Sequence, residues 1–275
     1  MTYQTIMVHL RLGHSNDAVL HISRYLAERF NANVIGIIVG QQTQLIYGRG
    51  YALLDFFDRE QAHIVEKIEE AESSFKNAFN SFSKSIEWRS IITRESMTDY
   101  VLANTCSADI VITGIAASDF YEGPYAVNSS EIFMQAGRPV LVIPEIARPV
   151  SFENILIGWK ESREARRAIF DALPILQQAT KVTVVQITHK NNKEAVSRSI
   201  AQVVVWLKQH KIIAKPLVAI SVEDEATEFL TIAKKQNADL IIAGAYGHSR
   251  LREWVLGGVT DELLRRAEFC ALLSH

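Results

Sequence analysis

The residues best suited to handling an anion gather near the carboxyl end of the chain, in "GAYGHSRLREWVLGGVTDELLRRA" from Gly244 to Ala267. Gly244 and Gly247 follow the apolar run "NADLIIAG", and Gly257 and Gly258 precede a segment of helical pattern from Val259 to Ala267. Glycine reaches positive φ and lets a ligand approach the main chain with no Cβ in the way. A helix start adds unpaired N–H groups and roughly half a positive charge, which together suit a phosphate. Gly244, Gly247, Gly257, Gly258, Val259 and Thr260 are therefore the expected cradle. His248, Ser249 and Arg250 border it, and Arg250 is the best charge partner among them. Lys160, just after another apolar run, can reach toward phosphate oxygens as a compact cation. Trp159 beside it either covers a base or packs in the core, and packing is the plainer reading. Catalysis is not indicated. His248 has no serine or cysteine nucleophile with a matching acid and no second histidine at metal spacing, so neither a general base nor a metal site is expected.

The elements that must carry these residues come from an internal repeat. "YQTIMVHL" from Tyr3 matches "FENILIGW" from Phe152, "SADIVITG" matches "NADLIIAG", and "RPVLVIP" matches "CALLSH". Two copies of one domain, residues 1–147 and 148–275, account for the whole chain, with Ser15 and Ser162 read as helix N-caps. Short Val/Ile/Leu runs alternate with amphipathic segments. In one of these, Ile64, Ile68, Ala71, Phe75, Phe79 and Phe82 recur at helical spacing as a core stripe. Strands that are apolar on both faces need helices on both faces, which predicts an α/β fold of two doubly wound, mainly parallel five-stranded sheets. The strands are expected at 5–10, 33–39, 86–93, 109–115 and 139–143, then 154–159, 181–188, 213–220, 239–245 and 270–274. Ligands in such sheets gather at the carboxyl ends of the strands, where the glycines lie.

Composition narrows the function classes. The net charge of −2 argues against a nucleic-acid partner, but it is unevenly spread. Residues 1–147 hold 11 Lys/Arg against 17 Asp/Glu, and residues 148–275 hold 18 against 14, so the glycine-rich half is the positive one. No apolar run approaches the roughly 20 residues of a membrane span, and no signal peptide opens the chain, so a cytoplasmic protein is expected. Cys106 and Cys270 fall in different halves without C-x-x-C spacing, which suggests neither a disulfide framework nor a zinc knuckle.

The first copy lacks the cradle. After Gly114 it reads "IAASDFYEGPYAVNSS", with Ala117 for the second glycine and Asp119 and Glu122 where acidic side chains would repel a phosphate. An insertion from Gln41 to Phe57, "QQTQLIYGRGYALLDFF", reads as a packed loop, with a lid or a contact surface as the alternatives.

The spacing of Gly244, two residues, Gly247, nine residues and Gly257 resembles the glycine signature of universal stress proteins. The signature's final Ser/Thr is replaced by Gly258, and the nearest hydroxyl is Thr260. The resemblance implies two Rossmann-like domains of strand order 3-2-1-4-5, the first with a degenerate site and the second binding ATP or a related adenine nucleotide. It also implies an intramolecular pseudo-dimer joined through the fifth strands, and a homodimer of the full chain is compatible with it. Nucleotide-binding members carry an aspartate after strand one, where this chain has Lys160 and Arg11, so weakened affinity is expected. Slow ATP hydrolysis is the most catalysis the resemblance supports. Two other classes are a protein-interaction scaffold with both sites empty, consistent with Lys160, Arg11 and Gly258, and an adenylating or amidating enzyme of a related α/β fold, which would want a glycine-serine loop after strand one that "GWKESREA" does not supply.

Overall fold

The structure is a computed structural model and describes residues 2–42, 52–115, 127, 129–145, 150–188, 193–220, 224–245 and 258–275. The first half runs β1 (Thr5–His9), α1 (Asp17–Phe30), β2 (Asn33–Gln41), α2 (Ala52–Ala78), β3 (Ile86–Thr93), α3 (Met97–Asn104), β4 (Ile110–Ile115), α4 (Ser129–Gln135) and β5 (Val140–Pro144). The second half runs β6 (Asn154–Gly158), α5 (Arg163–Asp171), α6 (Leu173–Leu176), β7 (Lys181–Thr188), α7 (Lys193–Gln209), β8 (Ala214–Ile220), α8 (Glu225–Lys235), β9 (Leu240–Gly244), α9 (Gly258–Arg266) and β10 (Cys270–Ser274). All ten strands lie within two residues of their expected bounds.

Each half has the strand order 3-2-1-4-5, but the two sheets are continuous. The order β3-β2-β1-β4-β5-β10-β9-β6-β7-β8 makes one ten-stranded sheet. Every pairing within a half is parallel, and the central pairing of β5 with β10 is antiparallel, with Leu272 opposite Leu141. The strand-end crevices of the two halves therefore open in opposite directions. The central strands are apolar throughout because helices cover both faces. On one face α1, α2 and α5 cover Ile6, Val8, Leu141, Ile155, Ile157 and Leu272. On the other, Met7, Val111, Val142, Ile241 and Leu273 lie under Ile132 and Phe133 of α4, Phe229 and Leu230 of α8, and Leu263 and Leu264 of α9. Both cores run across the junction.

The repeat also appears in polar detail. Asp109, in "SADI", accepts from the N–H groups of Gln4 and Thr5 at 2.7 and 3.0 Å. Asp239, in "NADL", accepts from Glu153 and Asn154 at 3.0 and 3.1 Å. The recurring Ala-Asp thus fastens the fourth strand of each half to the start of its first. From α1, Arg29 donates to the carbonyls of Ser151 and Gln178 at 2.8 and 2.9 Å, and the hydroxyl of Tyr25 donates to Ser151 O at 2.9 Å. Tyr3 Oη donates to the Asp171 carbonyl at 2.7 Å.

Ser162 caps α5 as expected, its Oγ accepting from Ala165 N at 3.2 Å. Ser15 does not cap α1, because Asn16 occupies that position and spends its side chain on the loop before it. Asn16 Oδ1 accepts from Arg11 N at 2.9 Å and Nδ2 donates to Arg11 O at 3.0 Å. The expected core stripe of α2 holds: Ile64, Ile68, Phe75 and Phe79 are buried, with Ala71 and Phe82 packed at its margin.

Candidate functional site

The carboxyl end of β9 is closed on one side by α5 and approached from the other by α9. A Cβ built on Gly244 would lie 2.6 Å from Ala165 N and from the Glu164 carbonyl carbon, so only glycine lets α5 sit this close. The close approach that requires glycine at 244 is thus made by the protein's own backbone. Four residues, 159–162, link β6 to α5, against seven, 10–16, between β1 and α1. The shorter link draws the start of α5 onto the strand end. At Gly114, the counterpart in the first half, the nearest atom is Val19 Cγ2 at 3.2 Å.

On the opposite side, Thr260 is buried and its Oγ1 donates to the Gly244 carbonyl at 3.3 Å. This bond fixes the first turn of α9 beside the strand end. The chain leaves β9 through Ala245, whose N–H donates to Ser274 O at 2.8 Å and whose carbonyl accepts from His275 Nδ1 at 3.1 Å. Val259 is half-buried at the margin of the α8/α9 core.

Trp159 is 8 % exposed, lies in the core and donates from Nε1 to Ser199 Oγ at 3.1 Å. This is the packing alternative. Lys160 is exposed, and its carbonyl accepts from Ser162 N at 2.7 Å in the tight turn that starts α5. Gly247, His248, Ser249, Arg250 and Gly257 lie outside the described residues, as do Ala117, Asp119, Glu122 and residues 43–51 of the insertion. Among the predicted residues, then, Gly244, Gly258, Val259 and Thr260 meet at one strand end, with Trp159 and Lys160 at the neighbouring one.

One residue at this strand end carries no glycine or repeat signal to announce it. Glu164, in the first turn of α5, is 9 % exposed, and its Cβ lies 2.9 Å from where a Gly244 Cβ would be. Burial by itself raises the pKa of this carboxyl. Hydrogen bonds from its own N–H and from Ser162, with the nearby charges of Arg163 and His275, outweigh that and hold it below the usual carboxylate range. The group is an anion at neutral pH. Its partner Arg163, 3.3 Å away, has a side chain 75 % exposed and offsets it only in part. Ser274, paired in register with Gly244, faces the same side of the sheet, and its buried Oγ has no hydrogen-bond partner among the described residues.

In the first half an arginine lies beside the equivalent glycine. The Arg11 side chain passes 3.6 Å from the open side of Gly114, and its guanidinium donates to His14 Nε2 at 3.1 Å. On the other face of the sheet, His9 Nδ1 shares a 2.8 Å hydrogen bond with Thr113 Oγ1, and burial holds its pKa down at about 4. In the second half Gly158 and Ala243 stand at these positions, and the Phe229 ring fills the space 3.2 Å from Gly158.

Residues 151–273 match the model of the universal stress protein family. The carboxy-terminal half is a universal stress protein domain. The whole chain shares its fold with a universal stress protein from Archaeoglobus fulgidus DSM 4304, at 14% identity and a TM-score of 0.69, over 98% of this chain and 97% of that one. It is also similar to a protein of unknown function from Pseudomonas aeruginosa PAO1, at 11% identity and a TM-score of 0.61, over 99% and 92% of the two chains. No curated protein gives a significant match. The universal stress protein fold thus covers both halves, in tandem. Among the described residues, no helix is long and apolar enough to cross a membrane.

Proposed function

We propose that the second universal stress protein domain binds ATP or a related adenine nucleotide at the carboxyl ends of β6 and β9, and that the protein acts by changing shape or partners when it does so. The observation that carries this reading is the bond from Thr260 Oγ1 to the Gly244 carbonyl. It holds the start of α9, whose first N–H groups have no partner within the helix, beside the strand end from which the glycine-rich stretch departs. An oxyanion there meets both those donors and the positive end of the helix dipole. The excess of basic residues in this half favours the same ligand.

A second reading, an interaction scaffold without nucleotide, draws support from two observations: Trp159 is committed to the core, and the first turn of α5 at Glu164 closes against Gly244. Thermal unfolding with ATP, ADP and AMP separates the two. A ligand at 100 times its dissociation constant stabilises by about 2.7 kcal/mol, so nucleotide binding raises the midpoint measurably. Gly247→Val should remove that rise and leave the unliganded midpoint nearly unchanged. No rise with any of the three at millimolar concentration selects the scaffold.

A further inference from the structure

We infer that Glu164 sets the charge preference of the second domain's site, so that it favours adenine ligands with few phosphates, a nucleoside or nucleoside monophosphate, over the triphosphate. The inference rests on the nucleotide reading above and adds a selectivity that the glycine stretch does not predict. Three observations converge on it.

The first is position. The Glu164 Cβ is 2.9 Å from the vacant Cβ place of Gly244, and the same glycine's carbonyl receives Thr260 from the first turn of α9. The turn of α5 that carries Glu164 and the helix start that would attract phosphate therefore flank a single residue. The second is burial. The Glu164 side chain is 11 % exposed, so water screens its charge poorly, while its salt-bridge partner Arg163 projects into solvent. The third is a second acid at the same strand end. In the first turn of α9, Asp261 Oδ2 accepts from Arg265 at 2.7 Å, and Oδ1 is buried without a partner among the described residues. A chain of phosphates would bring like charge against both carboxylates, whereas a nucleoside or its monophosphate brings little or none.

The test is titration calorimetry of the full chain with adenosine, AMP and ATP in EDTA, for the wild type and Glu164→Gln. The substitution keeps the size of the side chain and removes its charge. The wild type should bind AMP more tightly than ATP, and Glu164→Gln should shift the ratio of the two affinities toward ATP by about tenfold, the effect of removing one poorly screened like charge. Adenosine, which carries no phosphate, should change by less than about threefold on the same electrostatic argument. Glu164→Ala also removes the charge, and it provides the test if Glu164→Gln does not fold. Binding of all three ligands to a folded Glu164 variant with the wild-type AMP-to-ATP ratio overturns the inference and leaves the nucleotide reading standing. No binding of any of them to the wild type overturns both.

Discussion

Gly244 and Gly114 occupy equivalent positions, yet the surroundings make different demands on them. A methyl at 244 meets the backbone of α5 at 2.6 Å, which cannot yield without moving the helix, whereas a methyl at 114 first meets the Val19 side chain at 3.2 Å. Gly244→Ala should therefore cost about 1–3 kcal/mol as an overpacking change, and Gly114→Ala clearly less, read as urea unfolding midpoints. Equal costs would mean that α5 is not seated as described. His9 offers a prediction in pH. Its folded pKa of about 4 lies below the ordinary 6.5, so between those values the unfolded chain takes up a proton that the folded chain refuses. The stability from keeping His9 neutral is complete above pH 6.5 and is lost as pH falls toward 4, an effect on the order of 3 kcal/mol. His9→Gln should flatten the acid limb of a stability profile over that window, and an unchanged limb would show that other groups cause it. The glycines and Lys160 were legible in sequence because their types announce chemistry. Glu164 was not, because "KESREARR" reads as an ordinary polar helix start. Only the short link from β6 and the missing Cβ of Gly244 bring its turn of helix to the strand end.

The strands were the most legible elements, because runs such as "IVITGI" and "LIIAG" are apolar on both faces and the repeat checks each against its twin. The N-cap of α1 was misread because Asn16 competes with Ser15 and wins through its bonds to Arg11, a contact that no local pattern encodes. The role of α1 as a strut was equally invisible. Arg29 and Tyr25 reach carbonyls more than 120 residues away, including the shared acceptor Ser151 O. Arg29→Met retains most of the packing stem and removes these bonds. Because their setting is exposed, the loss should be about 1–2 kcal/mol, seen as a lower melting midpoint with the same unfolding slope in denaturant. A midpoint within error of the wild type would show that the packed cores alone hold α1 against the second half.

At the scale of the molecule, duplication and divergence are visible together. The antiparallel pairing of β5 and β10 turns two five-stranded sheets into one and protects an edge that each half would otherwise expose. Two crevices result, opening in opposite directions, one lined by Arg11 and His14 and the other by Glu164 and Thr260. The second crevice thus carries both signs, Lys160 and Arg163 with Glu164, which sequence counting does not reveal because it does not say which charges lie at the ends. The second crevice, where α9 starts beside Gly244, is the one proposed to hold nucleotide. Two-dimensional NMR of the isotope-labelled full chain titrated with AMP tests that assignment most directly. Nucleotide in the second crevice should give saturable shifts clustered on the amides of Lys160 to Ala165, Gly244, Ala245 and Gly258 to Thr260, with Arg11 to Asn16 and Gly114 undisturbed. Shifts clustered on the first-half residues instead, or none at saturating nucleotide, would contradict it.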